Sequence, residues 1–151
     1  MMPAPSRTNL PYKRPESVLV VVYTGAGEVL MLRRTVPEGF WQSVTGSLEW
    51  GEAPRHAAER ELYEETGLRS GGRLIDCNTR VRFPIVLAWR SRYAPRVRCN
   101  LEHWFRLQLP NRRLIRLDPR EHREYRWLPK LRAARLASSW TNRDAILQLP
   151  I

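Results

Sequence analysis

The stretch from Gly46 to Leu68 constrains the chain more than any other, because it crowds acidic side chains onto one helix. It reads Gly46-Ser-Leu-Glu-Trp-Gly-Glu52-Ala-Pro-Arg-His-Ala-Ala-Glu-Arg60-Glu61-Leu62-Tyr63-Glu64-Glu65-Thr66-Gly67-Leu68. A helix is expected over Glu52 to Thr66. Pro54 suits its first turn, Glu52 lies at its positive end, and Gly67 can stop it in a left-handed conformation. Glu61 and Glu65 are then one turn apart on a shared face, with Glu64 on the neighbouring stripe. Like charges at this spacing repel by about 0.2–0.5 kcal/mol per pair. A divalent cation would relieve that repulsion. With no His or Cys expected near the acids, oxygen ligands point to Mg²⁺, or Mn²⁺ in its place, rather than Zn²⁺. Ala58 and Leu62 form an apolar stripe able to face a sheet. Arg60 is placed to pair with Glu64 or to orient Glu61. Gly46 lets the incoming loop approach the cation closely. The competing reading of such an acid run, taken alone, is a solvated helix face.

Around this segment the chain alternates short apolar runs with turn residues. Its 151 residues, 42% hydrophobic, suit one domain over 1–151 with one core. Residues 1–12, rich in proline, are expected to form an extended N-terminal arm. Ser17 to Tyr23 is a β-branched run that reads as a buried strand, and Val29 to Arg33 as a second. Residues 34–51 are punctuated by Gly and Pro, with Phe40 and Trp41 as anchors. Leu74 to Trp89 should hold one or two strands, Trp104 to Leu109 another, and Tyr125 to Leu128 a short one. One or two helices are expected over Lys130 to Leu149, the last around Trp140 to Leu147. Strands on both sides of a central helix, with helices at the end, imply an α/β fold with a mixed sheet flanked by helices.

Composition narrows the partners. The net charge is +11. That suits a polyanionic ligand such as a free polyphosphate or RNA, but a codon bias toward Arg with a solvated surface explains it equally well. Cys77 and Cys99 match no metal-ligand spacing and read as reduced thiols. No apolar run reaches membrane-span length, and the N-terminus lacks a signal-like apolar stretch. The expected location is therefore the cytoplasm.

The pattern Gly, five residues, Glu, seven residues, Arg-Glu-aliphatic, one residue, Glu-Glu, one residue, Gly-aliphatic is filled at every defined position between Gly46 and Leu68. This segment resembles the Nudix box. The resemblance implies an α/β/α sandwich and a Mg²⁺-dependent pyrophosphohydrolase. It implies that Glu61 and Glu65 bind the metal, that Glu64 is a further catalytic acid, and that Arg60 orients them. Tyr12-Lys-Arg-Pro15, Phe40 to Gly46, Leu74 to Cys77, Arg92 to Pro95 and Ser139 to Arg143 further resemble the branch of that family that cleaves dihydroneopterin triphosphate in folate synthesis. That branch implies Glu121 as a metal-binding acid outside the box. It also implies that Lys13, Arg34, Thr45, Phe83, Pro84, Ile85, Val86 and Ser139 contact the small-molecule triphosphate.

Each of these residues has an ordinary alternative. Lys13 and Arg34 could be surface charges, Phe83 core, Ser139 a helix cap and Glu121 a salt-bridge partner. Pro84 would interrupt strand pairing and mark an edge or a bulge. His56, His103 and His122 are not expected to act in catalysis. Rival functions are a housecleaning nucleoside triphosphate pyrophosphohydrolase, an RNA 5′-end pyrophosphohydrolase, and a silent module that only binds nucleotides or RNA. A nucleic-acid partner is the weaker expectation, and the intact acid cluster argues against silence. Oligomeric state is left open by the sequence.

Overall fold

The computed structural model describes residues 11–151. The expected arm over 1–12 thus lies outside the described residues, except for Pro11 and Tyr12 in a turn and bend. The elements are β1 (Glu16–Thr24), β2 (Glu28–Arg34), β3 (Trp41–Gln42), β4 (Val44–Ser47), α1 (Pro54–Thr66), β5 (Ile75–Pro84), a 3-10 helix (Leu87–Arg92), β6 (Cys99–Leu109), β7 (His122–Pro129), α2 (Lys130–Leu136) and α3 (Trp140–Leu147).

The strands form one mixed sheet in the order β3-β2-β1-β6-β5, with β4 also paired to β1 and β7 to β2. Only β1 and β6 run parallel, in register from Glu16↔Leu101 to Thr24↔Leu109. β1 sits at the centre, so both its faces are buried, which explains its unbroken apolar run. Its alternate residues feed two cores. Val18, Val20 and Val22 meet Ala58 and Leu62 of α1 on one face. Leu19, Val21 and Tyr23 meet Ala133, Ala145 and Ile146 of α2 and α3 on the other. The result is the α/β/α sandwich expected from the sequence.

Several expectations need correction. The segment 34–51 hides two strands, β3 and β4. They are short and contain Gly46 and polar residues, so no period-2 apolar signal marks them. β6 begins at Cys99 and β7 at His122, both earlier than expected, because cross-strand pairing extends a strand through polar residues. Leu74 to Trp89 contains a single strand with a register shift between Asp76 and Arg80, followed by the 3-10 helix. Asn78 takes a left-handed φ of 52° at that shift, a region Asn tolerates better than most side chains. Pro84 ends β5 on the sheet edge, where a missing N–H costs little.

Leu62 is 0% exposed and joins α1 to the sheet. Leu62→Ala should lower unfolding free energy by about 2–5 kcal/mol. A urea titration should show the midpoint falling with an unchanged slope.

Candidate active site

The site is built where α1 crosses the end of β4. Ala53 caps α1 without using a side chain, and Pro54 occupies its first turn. The loop before it is organised by Glu52. This carboxylate accepts from the Glu49 backbone N–H at 2.9 Å, from Arg60 Nε at 2.9 Å and from Arg60 Nη2 at 2.8 Å. Arg60 reaches further, donating to Glu61 Oε1 at 2.9 Å, Glu64 Oε2 at 3.3 Å and the Ser47 carbonyl at 3.1 Å. Its main partner is therefore Glu52, which the sequence spacing did not single out. The Arg60 guanidinium holds the Glu52 carboxyl down at about 2 despite its burial, with help from the Glu49 N–H and His56. Gly67 ends the helix at φ 76°, its N–H bonded to the Tyr63 carbonyl at 2.8 Å.

Glu61 and Glu65 project together, as their spacing requires. Gly46 is needed for this, since any Cβ there would overlap the Glu61 carboxylate. The glycine thus makes room for the acid itself, rather than only for an incoming cation. Glu65 is 1% exposed, and its Oε1 has no hydrogen-bond partner among the described residues. Burial pushes its carboxyl well above the ordinary range, and Glu61 and Glu121 push it further. Burial also raises Glu61, with Glu65 and Arg60 pulling the other way. Glu64 stays exposed on the adjacent stripe.

β7 delivers the rest of the cluster. Arg34 pairs with His122 across β2 and β7, which puts the start of β7 beside α1. Ligand atoms of Glu65, Glu121 and His122 lie within 4.8 Å of one another. The expectation of a purely oxygen environment is thus corrected, because pairing across the sheet brings in a histidine remote in sequence. His122 is 2% exposed, its Nε2 lies 3.1 Å from Gln42 Nε2, and its Nδ1 has no partner among the described residues. Burial, then the nearby Arg34 charge, lowers its pKa to about 4, so the ring is neutral at pH 7. The orphaned Glu65 oxygen, the converging carboxylates and the adjacent neutral imidazole form a donor set that fits a divalent cation.

A basic wall faces the acids. The Lys13 ammonium is held below the usual lysine value by lost hydration, then by Arg92 and Arg34, while Glu61 and Glu121 oppose the shift. Its backbone N–H donates to the Arg92 carbonyl at 2.8 Å. Arg34 Nε donates to the Val36 carbonyl at 2.7 Å, and the guanidinium carbon lies 6.0 Å from the ring centres of both Phe40 and Trp89. Thr45 connects to the cluster through its backbone, which donates to Glu65, while its hydroxyl donates to the Val18 carbonyl at 2.9 Å.

The other expected contacts lie further out. Phe83 and Pro84 end β5, Ile85 turns inward at 4% exposure, and Val86 is exposed before the 3-10 helix. Ser139 caps α3, its hydroxyl accepting from the Asn142 N–H at 3.1 Å. No hydrogen bond among the described residues joins Ser139 to the acids. Sequence reasoning missed Gln42, His122 and Arg92. The one signal for His122 was that it adjoins Glu121 in sequence.

Comparisons with known proteins agree with this geometry. Residues 13–149 match the model of the NUDIX domain. The chain is 48% identical over 144 residues to dihydroneopterin triphosphate diphosphatase of Escherichia coli (strain K12), covering 93% of this chain and 95% of that protein. It is 39% identical over 139 residues to the Haemophilus influenzae protein of the same description, covering 89% and 87%. The solved structure of the E. coli dihydroneopterin triphosphate pyrophosphohydrolase superposes with a TM-score of 0.85 at 48% identity, over 91% of this chain and 96% of that one. With its acid cluster, its sandwich and a family match over most of its length, the chain belongs to the Nudix hydrolase family.

Proposed function

We propose that this protein is a Mg²⁺-dependent pyrophosphohydrolase that converts dihydroneopterin triphosphate to the monophosphate and pyrophosphate, a step of folate synthesis. The reaction class rests on one observation: a buried Glu65 oxygen with no donor lies beside the Glu61 carboxyl and within reach of Glu121 and His122. The substrate rests on 48% identity across nearly the whole chain to enzymes of that activity. When bound, the divalent cation supplies charge neutralisation at the anhydride oxygens and acidifies the attacking water.

The chain's own residues divide the remaining work. Glu61, Glu65 and Glu121 would hold the cation, with His122 alongside. Arg60 fixes the rotamer of Glu61 and offsets the charge of the cluster. Glu64 is tied only by Arg60 at 3.3 Å and stays solvent-accessible, so it is free to accept the proton released by water. Lys13 and Arg34 neutralise the phosphate chain, and their donors orient it against the acids. Thr45, Phe83 to Val86 and Ser139 border the rest of the ligand. No helix of the described residues is long and apolar enough to cross a membrane.

A substrate panel tests this directly. Pyrophosphate release should be fastest with dihydroneopterin triphosphate, ahead of the common nucleoside triphosphates and triphosphorylated RNA. A clear preference for RNA ends or for a nucleotide would overturn the substrate. For Glu65→Gln, turnover at saturating Mg²⁺ should fall by about a hundredfold or more. The same change removes a buried carboxyl whose charged form is disfavoured there, so the metal-free melting temperature should hold or rise. Full turnover in this variant would remove Glu65 from the site.

Glu52 yields a pH prediction. Its folded value of about 2 lies below the ordinary carboxylate value of 4.5. Between these two values the unfolded chain binds the extra proton, so stability rises with pH through that window. The contribution of Glu52 is whole above pH 4.5 and lost as pH falls toward 2. Glu52→Gln should flatten this acid limb in metal-free melts and lower stability at pH 7. An identical acid limb in both proteins would show that the Arg60–Glu52 pair does not contribute.

A further inference from the structure

Most groups described so far handle phosphates and a cation, and the Phe83 to Val86 border has no aromatic pair to stack on a flat ring. We propose that Phe40 and Trp89 form the ring-recognition wall of this site, with Trp89 the specificity-determining residue for a planar heteroaromatic group. This deepens the pyrophosphohydrolase reading and rests on it.

Arg34 is the pivot. On the sheet it pairs with His122, a member of the candidate cation cluster, and its guanidinium sits 6.0 Å from each of the two aromatic rings. A single side chain therefore borders both the cation end and the aromatic end. Phe40 and Trp89 meet edge to face, with centroids 6.4 Å apart and planes at 62°. That arrangement leaves one ring face turned away from the pair. Both rings are half-buried, and neither belongs to the two apolar cores. They pack on each other and on Arg34 rather than into either core.

The mounting of Trp89 points the same way. It rides on the 3-10 helix, which buries none of its own residues but is pinned at both sides by Ile85 and Tyr93, 4% and 9% exposed. The last residue of that helix, Arg92, accepts the Lys13 N–H at 2.8 Å, and Lys13 feels Glu61 and Glu121. The aromatic wall is thus tied by one backbone bond to a cation beside the acids. A ligand with a triphosphate at the acids and a flat ring on Trp89 would bridge the two ends. A flat bicyclic ring can stack on an indole face, and base-on-aromatic stacking accounts for roughly ten- to hundredfold in affinity.

The test compares KM for dihydroneopterin triphosphate with the inhibition constant of inorganic triphosphate, a ringless competitor, in the wild type and in Trp89→Leu, Trp89→Phe and Phe40→Leu. Leu and Phe keep an apolar side chain at each position, and circular dichroism melts verify that each variant folds. In Trp89→Leu the ratio of KM to inhibition constant should rise tenfold or more, and Trp89→Phe should recover most of it. Equal shifts in both constants, or none in either, would overturn the wall. ATP and GTP run in parallel separate this outcome from a wrong substrate. If the wild type prefers a purine triphosphate, the pterin assignment falls, and the wall stands only if Trp89→Leu weakens that purine selectively. If the wild type prefers the pterin and the ratio stays flat, the wall alone falls.

Discussion

Glu65 is almost wholly buried, and one of its oxygens meets no donor among the described residues. Taking an ionised carboxylate out of water costs several kcal/mol unless hydrogen bonds or a counter-charge compensate. Another buried acid, Glu102, shows the ordinary solution, since it accepts from the Trp104 indole at 3.0 Å. Glu65 has the Thr45 N–H on one side and another acid, Glu61, on the other. Such a position persists only because α1 is pressed into the sheet by Ala57, Ala58 and Leu62, all 0% exposed. Core packing on one stripe of the helix holds the adjacent stripe in a place that charge alone would vacate.

The helix tolerates this because its arginine is fully used. A guanidinium has five N–H donors. In Arg60 they reach Glu52 twice, Glu61, Glu64 and the Ser47 carbonyl. One residue therefore fixes the loop before α1, the Glu61 carboxylate and the end of β4. A lysine would keep the charge but not the fork, so it could hold one of these partners firmly and not all. The geometry of the acids depends on this planar group as much as on helical periodicity.

This explains which parts were legible in the sequence. The mixed sheet flanked by helices, the end of α1 at Thr66 and the shared face of Glu61 and Glu65 follow from local periodicity, whereas α1 starts at Pro54, two residues later than expected. β3 and β4 were invisible because two- and four-residue strands carry no pattern of their own and exist only through pairing to β2 and β1. His122 was set aside for the same reason. Its position beside Glu65 is dictated by the β2–β7 register and by Gln42, neither of which leaves a trace within a few residues of it. The roles of Lys13, Arg34 and Glu121 came from resemblance and not from spacing. Their mutual proximity is a product of three separate elements meeting at one end of the sheet.

The site accordingly has two ends with different physical origins. The cation end is assembled from one helix and its flanking loop, so its chemistry is written in a compact run of residues. The ring end is assembled from the residues after β2 and from a 3-10 helix that follows the edge strand β5. Edges and loops accept substitutions and insertions without disturbing a central parallel pair such as β1 and β6. Substrate choice can therefore drift at the rim while the acids stay fixed on α1. In this chain that rim carries Phe40, Trp89 and the exposed Val86 and Leu87, an apolar border beside a strongly basic wall. A ligand that is flat and apolar at one end and highly anionic at the other satisfies both halves at once, which neither a bare polyphosphate nor an uncharged pterin could do.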